Sequence, residues 1–193
     1  MTFSEYTSLA CRTTNSVICD TKEKQLMHYA LGFLAEFAGE LQPLAFKYCG
    51  KQTITKELAS EVTKEIGDCC WYMSQLAREL DINLDLILGP DPNTVVSYLD
   101  GLVGQPENLF LVGCKTIGEL AEYVKKVCCF NHPRTADKEI LLFEKAFIAF
   151  IACLNVMDIN LQETMQVNID KLKRRYPAGF TTEASVNRKE GVS

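Results

Sequence analysis

Apolar residues recur at three- and four-residue spacings along almost the whole chain, and no stretch keeps the strict alternation of a half-buried strand. That pattern restricts the chain to helices. It predicts them over Phe3–Ser16, Thr21–Tyr48, Lys56–Leu80, Asn93–Leu102, Thr116–Phe130, Ala136–Met157 and Leu161–Arg175. Their ends carry the expected start and stop chemistry. Thr53 and Thr55 stand ahead of the third helix as caps, Gly89-Pro90 and Asp91-Pro92 form a breaker cluster, and His132-Pro133 divides two later helices. Tyr176-Pro177-Ala178-Gly179 stops the last helix, and the polar stretch Thr181–Ser193 is expected to be loosely held unless it folds over a ligand. With 193 residues and 47% hydrophobic content, the helices can close around one sizeable core as an all-α bundle.

Charge and cysteine usage narrow the function classes. A formal net charge of -5 repels phosphate backbones, so no nucleic-acid polymer is expected as a partner. The nine cysteines are odd in number and include no C-x-x-C pair, and the residues after Met1 lack the apolar stretch of a secretory signal. Reduced thiols and a cytoplasmic location are expected. With only His28 and His132 to add nitrogen donors, a structural zinc site is not expected. The longest apolar run, Ala146–Leu154, is about half of what a bilayer demands, so it reads as a buried helix and not as a membrane span.

Two short strings recur. Gly39-Glu40-Leu41 returns as Gly118-Glu119-Leu120, and Asp81-Ile82-Asn83-Leu84 returns as Asp158-Ile159-Asn160-Leu161, at offsets of 79 and 77. The matched order suggests an internal duplication within a single domain, with a first half over 1–88 and a second over 92–193. The second half is degenerate. Opposite Glu65 and Asp68 it carries Leu142 and Lys145 in one register, or Glu144 and Phe147 in the other, so neither register keeps both acids. Glu119 and Glu122, followed by Lys125 and Lys126, read as a salt-bridged surface.

Chemistry is concentrated in four acids. Glu36 and Glu40 lie four apart and Glu65 and Asp68 three apart, so each pair projects from one helix face. Leu31, Phe33, Leu34, Phe37 and Leu41 surround the first pair; Ile66, Cys69, Cys70, Trp71 and Tyr72 surround the second. Carboxylates in such company need a counter-charge. Lys47, Lys51 and Lys64 are the nearest cations in sequence, so an oxygen-liganded Mg2+ or Mn2+ is the expected partner. A di-iron bundle would also require Glu-x-x-His, which is absent. The plain alternative is a solvated acidic stripe paired with lysines.

The stretch His28, Leu31-Gly32-Phe33-Leu34-Ala35-Glu36-Phe37-Ala38-Gly39-Glu40, followed by Glu65-Ile66-Gly67-Asp68-Cys69-Cys70-Trp71-Tyr72, resembles the paired acidic motifs of the MazG-like all-α nucleoside triphosphate pyrophosphohydrolases, within the dimeric dUTPase-like superfamily. Asn168-Ile169-Asp170-Lys171-Leu172-Lys173-Arg174-Arg175-Tyr176-Pro177-Ala178-Gly179-Phe180 is similar to that family's closing segment, notably in phage-encoded members, and Tyr6, Ala10 and Thr13 are similar to its first helix. The resemblance implies an all-α bundle of that type that splits a ribo- or deoxynucleoside triphosphate into monophosphate and pyrophosphate. It implies Glu36, Glu40, Glu65 and Asp68 as ligands of Mg2+ or Mn2+, one of them also activating water. It further implies substrate contacts from Tyr72, Asn168, Lys171, Arg174, Arg175 and Lys51, and assembly as a homodimer or homotetramer.

Family members space the first pair as Glu-x-x-Glu, whereas Glu36-x-x-x-Glu40 has one residue more, with Pro43 close behind. A π-bulge would absorb the insertion. Glu61, one turn before Glu65, is the reserve ligand for Glu40. Phe33, Phe37, Trp71, Tyr29 and Phe46 are the aromatics that could stack on a base, although helical spacing also suits plain core. The alternatives to a pyrophosphohydrolase are a dUTPase-like or stepwise tri- and diphosphate hydrolase, and a non-catalytic helical interaction module.

Overall fold

A computed structural model describes residues 1–14, 19–51, 53–88 and 106–187. Among the described residues every regular element is helical and none is a strand. The order is α1 (Phe3–Ala10) with a 3-10 turn (Cys11–Thr13), α2 (Lys22–Ala35), a π-helical turn (Glu36–Leu41), α3 (Gln42–Cys49), α4 (Lys56–Glu79), α5 (Leu84–Leu88), α6 (Pro106–Phe130), α7 (Ala136–Val156), α8 (Leu161–Arg175) and α9 (Thr182–Val186). The expected helix Asn93–Leu102 and the breaker cluster at 89–92 lie outside the described residues. Three pieces escape the periodicity: α5, α9 and the start of α6, which begins ten residues before the expected Thr116. Pro106 followed by Glu107 is a helix-start signal that would have placed α6 correctly.

Helix α4 is the axis of the bundle. Thr55 caps it, its hydroxyl accepting from the Leu58 amide at 3.2 Å, and Leu58, Val62, Ile66, Cys69, Met73, Leu76 and Ala77 bury one continuous stripe. It packs against α1, α2, α3 and α8, while the α6–α7 hairpin covers the other side of α2. Aromatic rings fill that second interface: Phe37 stacks on Phe110 at 5.7 Å and Phe33 meets Phe150 edge-on at 5.9 Å. Gly113 lets α6 come this close, since a methyl there would lie 2.4 Å from the Phe37 ring. No single helix among the described residues is long and apolar enough to cross a membrane.

The π-bulge expected at the first acidic motif is present. Glu36–Leu41 form a wide turn in which the Gln42 amide reaches back five residues to the Phe37 carbonyl. The helix then resumes with Pro43 in its first turn, where no amide proton is needed.

The repeated Asp-Ile-Asn-Leu string has a local explanation. Asp81 and Asp158 end α4 and α7 in the left-handed region, at φ 60° and 53°. The Ile82 and Ile159 amides donate back to the Ala77 and Leu154 carbonyls, closing a Schellman turn in each case. Asn83 and Asn160 then accept from amides two residues on, at 3.0 Å in both copies. The string encodes one helix-to-helix joint used twice. The Gly-Glu-Leu repeat has no such common structure, because Gly39 sits in the π-turn and Gly118 in regular α6. Glu119 and Glu122 pair with Lys115, Lys125 and Lys126 as a surface network, as their spacing predicts.

Candidate functional site

Two helices carry the acids and a third carries their partners. Glu36 opens the π-turn after α2; Glu65 and Asp68 lie on the facing side of α4. One carboxylate oxygen from each of the three falls within 4.8 Å of the others. Glu65 is buried, and Glu36 and Asp68 are half-buried. At that separation two unit charges repel by about 3 to 4 kcal/mol at an effective dielectric of about 20, so the trio needs cations.

The protein supplies two of them. Lys64 Nζ lies 2.9 Å from Glu65 Oε1. Lys171 comes from α8, more than a hundred residues along the chain, and its ammonium, only 5% exposed, donates to Asp68 Oδ1. Sequence proximity named Lys64 but neither it nor spacing pointed to Lys171, since contact and not chain distance decides the second counter-charge. Among the described residues Glu36 has no ion pair of its own. Burial, reinforced by the charges of Asp68, Glu65 and Glu40, pushes its carboxyl up to about 7, with Lys171 opposing. All donors are hard carboxylate oxygens converging on one point, and one negative charge remains uncompensated. That donor set fits Mg2+ or Mn2+.

Two glycines of the acidic motifs explain how the helices come close enough. A methyl on Gly67 would stand 2.7 Å from Asn168 Nδ2 and 2.9 Å from Asn168 Cβ, so only glycine lets α8 lie on α4 here. Asn168 uses the approach fully. Its amide nitrogen donates to Asp68 Oδ1 at 3.2 Å, and its oxygen accepts from the Tyr6 hydroxyl at 2.7 Å. Gly32 does the same for α2, since a methyl there would overlap the Tyr72 ring at 2.1 Å.

Beside the acids opens a cleft of about 310 Å3, within the range of small-molecule sites. Glu36 and Asp68 line one side; Trp71, Tyr72, Tyr176 and Phe180 give aromatic walls; His28, Thr13, Arg175 and Ser185 complete it. Its shape is held by contacts to the 3-10 turn that follows α1. Trp71 Nε1 donates to Thr13 Oγ1 at 2.9 Å, and Arg12 donates to the Pro177 carbonyl at 3.2 Å, tying the closing turn to the first helix. Tyr72 meets Trp71 at 5.0 Å and His28 at 5.5 Å, both edge-on. Burial holds the His28 imidazole below its ordinary range.

Of the residues singled out from sequence, Glu36, Glu65, Asp68, Tyr72, Asn168, Lys171 and Arg175 come together at the cluster and its cleft. Arg174 points to a neighbouring crevice instead. Glu40 stays outside the trio: four residues of helical rise, about 6 Å, carry it onward, and it is exposed. Glu61 is likewise exposed and outside the trio. Lys51 stands exposed past the end of α3 and lines neither cavity. Among the five aromatics considered for stacking, only Trp71 reaches the cleft. Tyr29, Phe33 and Phe37 are core, and Phe46 packs on Phe110. Tyr176, Phe180 and Ser185 were missed; the Tyr-Pro-Ala-Gly-Phe turn, with Gly179 at φ 101°, is the signal that folds this segment back.

Comparison of the chain with protein-family models, with curated proteins and with solved structures yields no match in any of the three. The class defined by fold and site is therefore an all-α protein with a tri-carboxylate cluster at the mouth of an aromatic cleft.

Proposed function

We propose that the protein is a nucleotide pyrophosphohydrolase of the MazG-like, all-α type, converting a nucleoside triphosphate to the monophosphate and pyrophosphate. The observation that carries this reading is the convergence of Glu36, Glu65 and Asp68, two of which, Glu36 and Asp68, line a cleft that Trp71, Tyr72, Tyr176 and Phe180 also line. The flat ring face of a base suits the Trp71, Tyr72, Tyr176 and Phe180 walls, and an anionic polyphosphate suits a cleft that also offers Arg175.

Mg2+ or Mn2+, held by Glu36, Glu65 and Asp68, would neutralise the polyphosphate and lower the barrier to attack on the α-phosphorus. Among the described residues Glu36 is the one acid of the trio with no lysine ion pair, so it is the acid that would orient the attacking water and take its proton. As the new phosphorus–oxygen bond forms, the bond to the β-phosphate breaks and pyrophosphate departs with its electron pair. Asn168 and Lys171 hold Asp68 in position, and Tyr6 holds Asn168. Thr13 orients the Trp71 ring.

The test is a panel of ribo- and deoxynucleoside triphosphates incubated with the protein and Mg2+, with products resolved. Pyrophosphate with monophosphate is expected; free phosphate in its place points to a stepwise hydrolase. Glu65→Gln and Asp68→Asn are each expected to abolish turnover while the helical circular-dichroism signal persists. Activity surviving both changes at saturating Mg2+ refutes the assignment. Mg2+ should also raise the melting temperature, which a non-catalytic helical module would ignore.

A further inference from the structure

One stripe of α2 runs along the cleft. His28, Gly32 and Glu36 stand four residues apart, and the Glu36 amide still bonds to the Gly32 carbonyl, so all three share a helix face. Two turns of helical rise, about 12 Å, separate the imidazole from the carboxylate. Both line the cleft, and Gly32 between them gives the Tyr72 ring its seat on the helix. The cleft therefore has an acidic end at Glu36 and a far end at His28.

Near His28 the other donors are already engaged. The Thr13 hydroxyl donates to the Ala10 carbonyl at 2.8 Å and accepts from Trp71 Nε1 at 2.9 Å, which uses the hydroxyl proton and the indole N–H together. His28 differs. Among the described residues its ring meets those of Tyr29, Trp71 and Tyr72, with centroids at 5.3, 6.4 and 5.5 Å, and its nitrogens have no hydrogen bond or ion pair. Three rings fix its orientation. Burial alone sets its titration and holds it neutral, so it presents one N–H donor and one bare nitrogen acceptor. We propose that His28 is the base-reading residue of the cleft, hydrogen-bonding the polar edge of a nucleobase whose phosphates lie toward Glu36. A base whose edge meets the fixed imidazole gains a hydrogen bond, and one that misses it leaves polar groups unpaired. This rests on the nucleotide reading of the site. It adds a specificity-determining residue, one that chooses among bases and does no work on the phosphates.

Trp71 is the one tryptophan of the chain and lines the cleft, so its fluorescence follows ligand binding without metal or turnover. AMP, GMP, CMP and UMP are titrated into the full-length protein in excess EDTA. The parent is expected to bind its favoured base about threefold or more tightly than its poorest. His28→Phe keeps a ring among the three aromatics but removes both nitrogens. It should weaken the favoured monophosphate about three- to tenfold and leave the poorest within about twofold, levelling the series. His28→Gln, which restores an amide donor and acceptor, should recover part of the preference. If His28→Phe fails to fold by circular dichroism, His28→Ala takes its place. Should monophosphates bind too weakly to measure, the same ratios are read from KM in triphosphate hydrolysis. Unchanged affinities, an equal loss for every base, or a parent without preference overturns the role of His28. A parent that neither binds a monophosphate nor hydrolyses a triphosphate overturns the nucleotide reading itself.

Discussion

Replacing Gly67 by alanine tests whether the approach of α8 to α4 is as tight as the geometry says. In an ordinary helix interior the change would stabilise by about 0.5 to 1 kcal/mol, because alanine loses less backbone entropy. At Gly67 the new methyl would meet Asn168 Cβ at 2.9 Å and Nδ2 at 2.7 Å, and the Cβ cannot swing away without moving α8. Overpacking of that kind costs about 1 to 3 kcal/mol, leaving a net loss of up to about 2.5 kcal/mol. Gly118→Ala is the internal control, since nothing lies within 4 Å of a methyl there and α6 is regular. It should gain the full propensity benefit. Thermal unfolding of both variants beside the parent, at about 2 to 4 °C per kcal/mol for a chain of this size, should give shifts of opposite sign. Shifts in the same direction would refute the claim that Gly67 is a contact glycine.

Other perturbations give equally definite readouts. Gly32→Ala forces the Tyr72 ring out of its seat on α2 and into the cleft, so KM for nucleotide should rise several-fold with a smaller change in kcat, checked by steady-state kinetics. For Glu36, the folded metal-free protein keeps its proton to about pH 7 while the unfolded chain releases it near 4.5. Its contribution is therefore intact below the unfolded value and is lost as pH rises through 7. Glu36→Gln should stabilise the metal-free protein at pH 8 by on the order of 1 kcal/mol, reduced from the face value of the shift because the carboxyl is half-solvated; urea titrations at pH 5 and 8 measure it. Mg2+ affinity should rise over the same interval, since loading needs the carboxylate. Asp85 accepts from the amides of Phe3 and Ser4 at 2.8 and 3.0 Å and so caps α1 from outside. Although burial opposes ionisation there, the Ser4 hydroxyl and these amides hold the carboxyl below its usual range. Asp85→Ala should cost about 1 kcal/mol and lower turnover, because α1 carries Tyr6 and Thr13 to the site.

The helical character of the long elements was readable because periodicity and caps are local: Thr55, Asn160 and the two Asp-Ile-Asn-Leu joints act within a turn of where they stand, whereas α5, α9 and the start of α6 were not read. The acidic pairs were readable for the same reason, since residues three apart share a face wherever a helix forms. The π-turn at Glu36–Leu41 was expected only by comparing Glu36-x-x-x-Glu40 with the spacing of the family it resembles. What spacing alone could not decide was which acid points inward. Glu40 and Glu36 share a motif, yet only Glu36 meets Glu65 and Asp68.

One counter-charge, Lys64, stands next to Glu65 in the sequence, whereas Lys171 and the cleft walls that follow α8 are brought in by tertiary structure. Lys171 and Asn168 reach Asp68 from α8, and Tyr176 and Phe180 reach the cleft through a turn anchored by Arg12. Amino-acid order sets which residues neighbour one another along a helix, on a scale of about a turn. Electrostatic neutralisation and cavity shape are set by groups within a few ångströms in space, and for this protein those groups come from opposite ends of the chain.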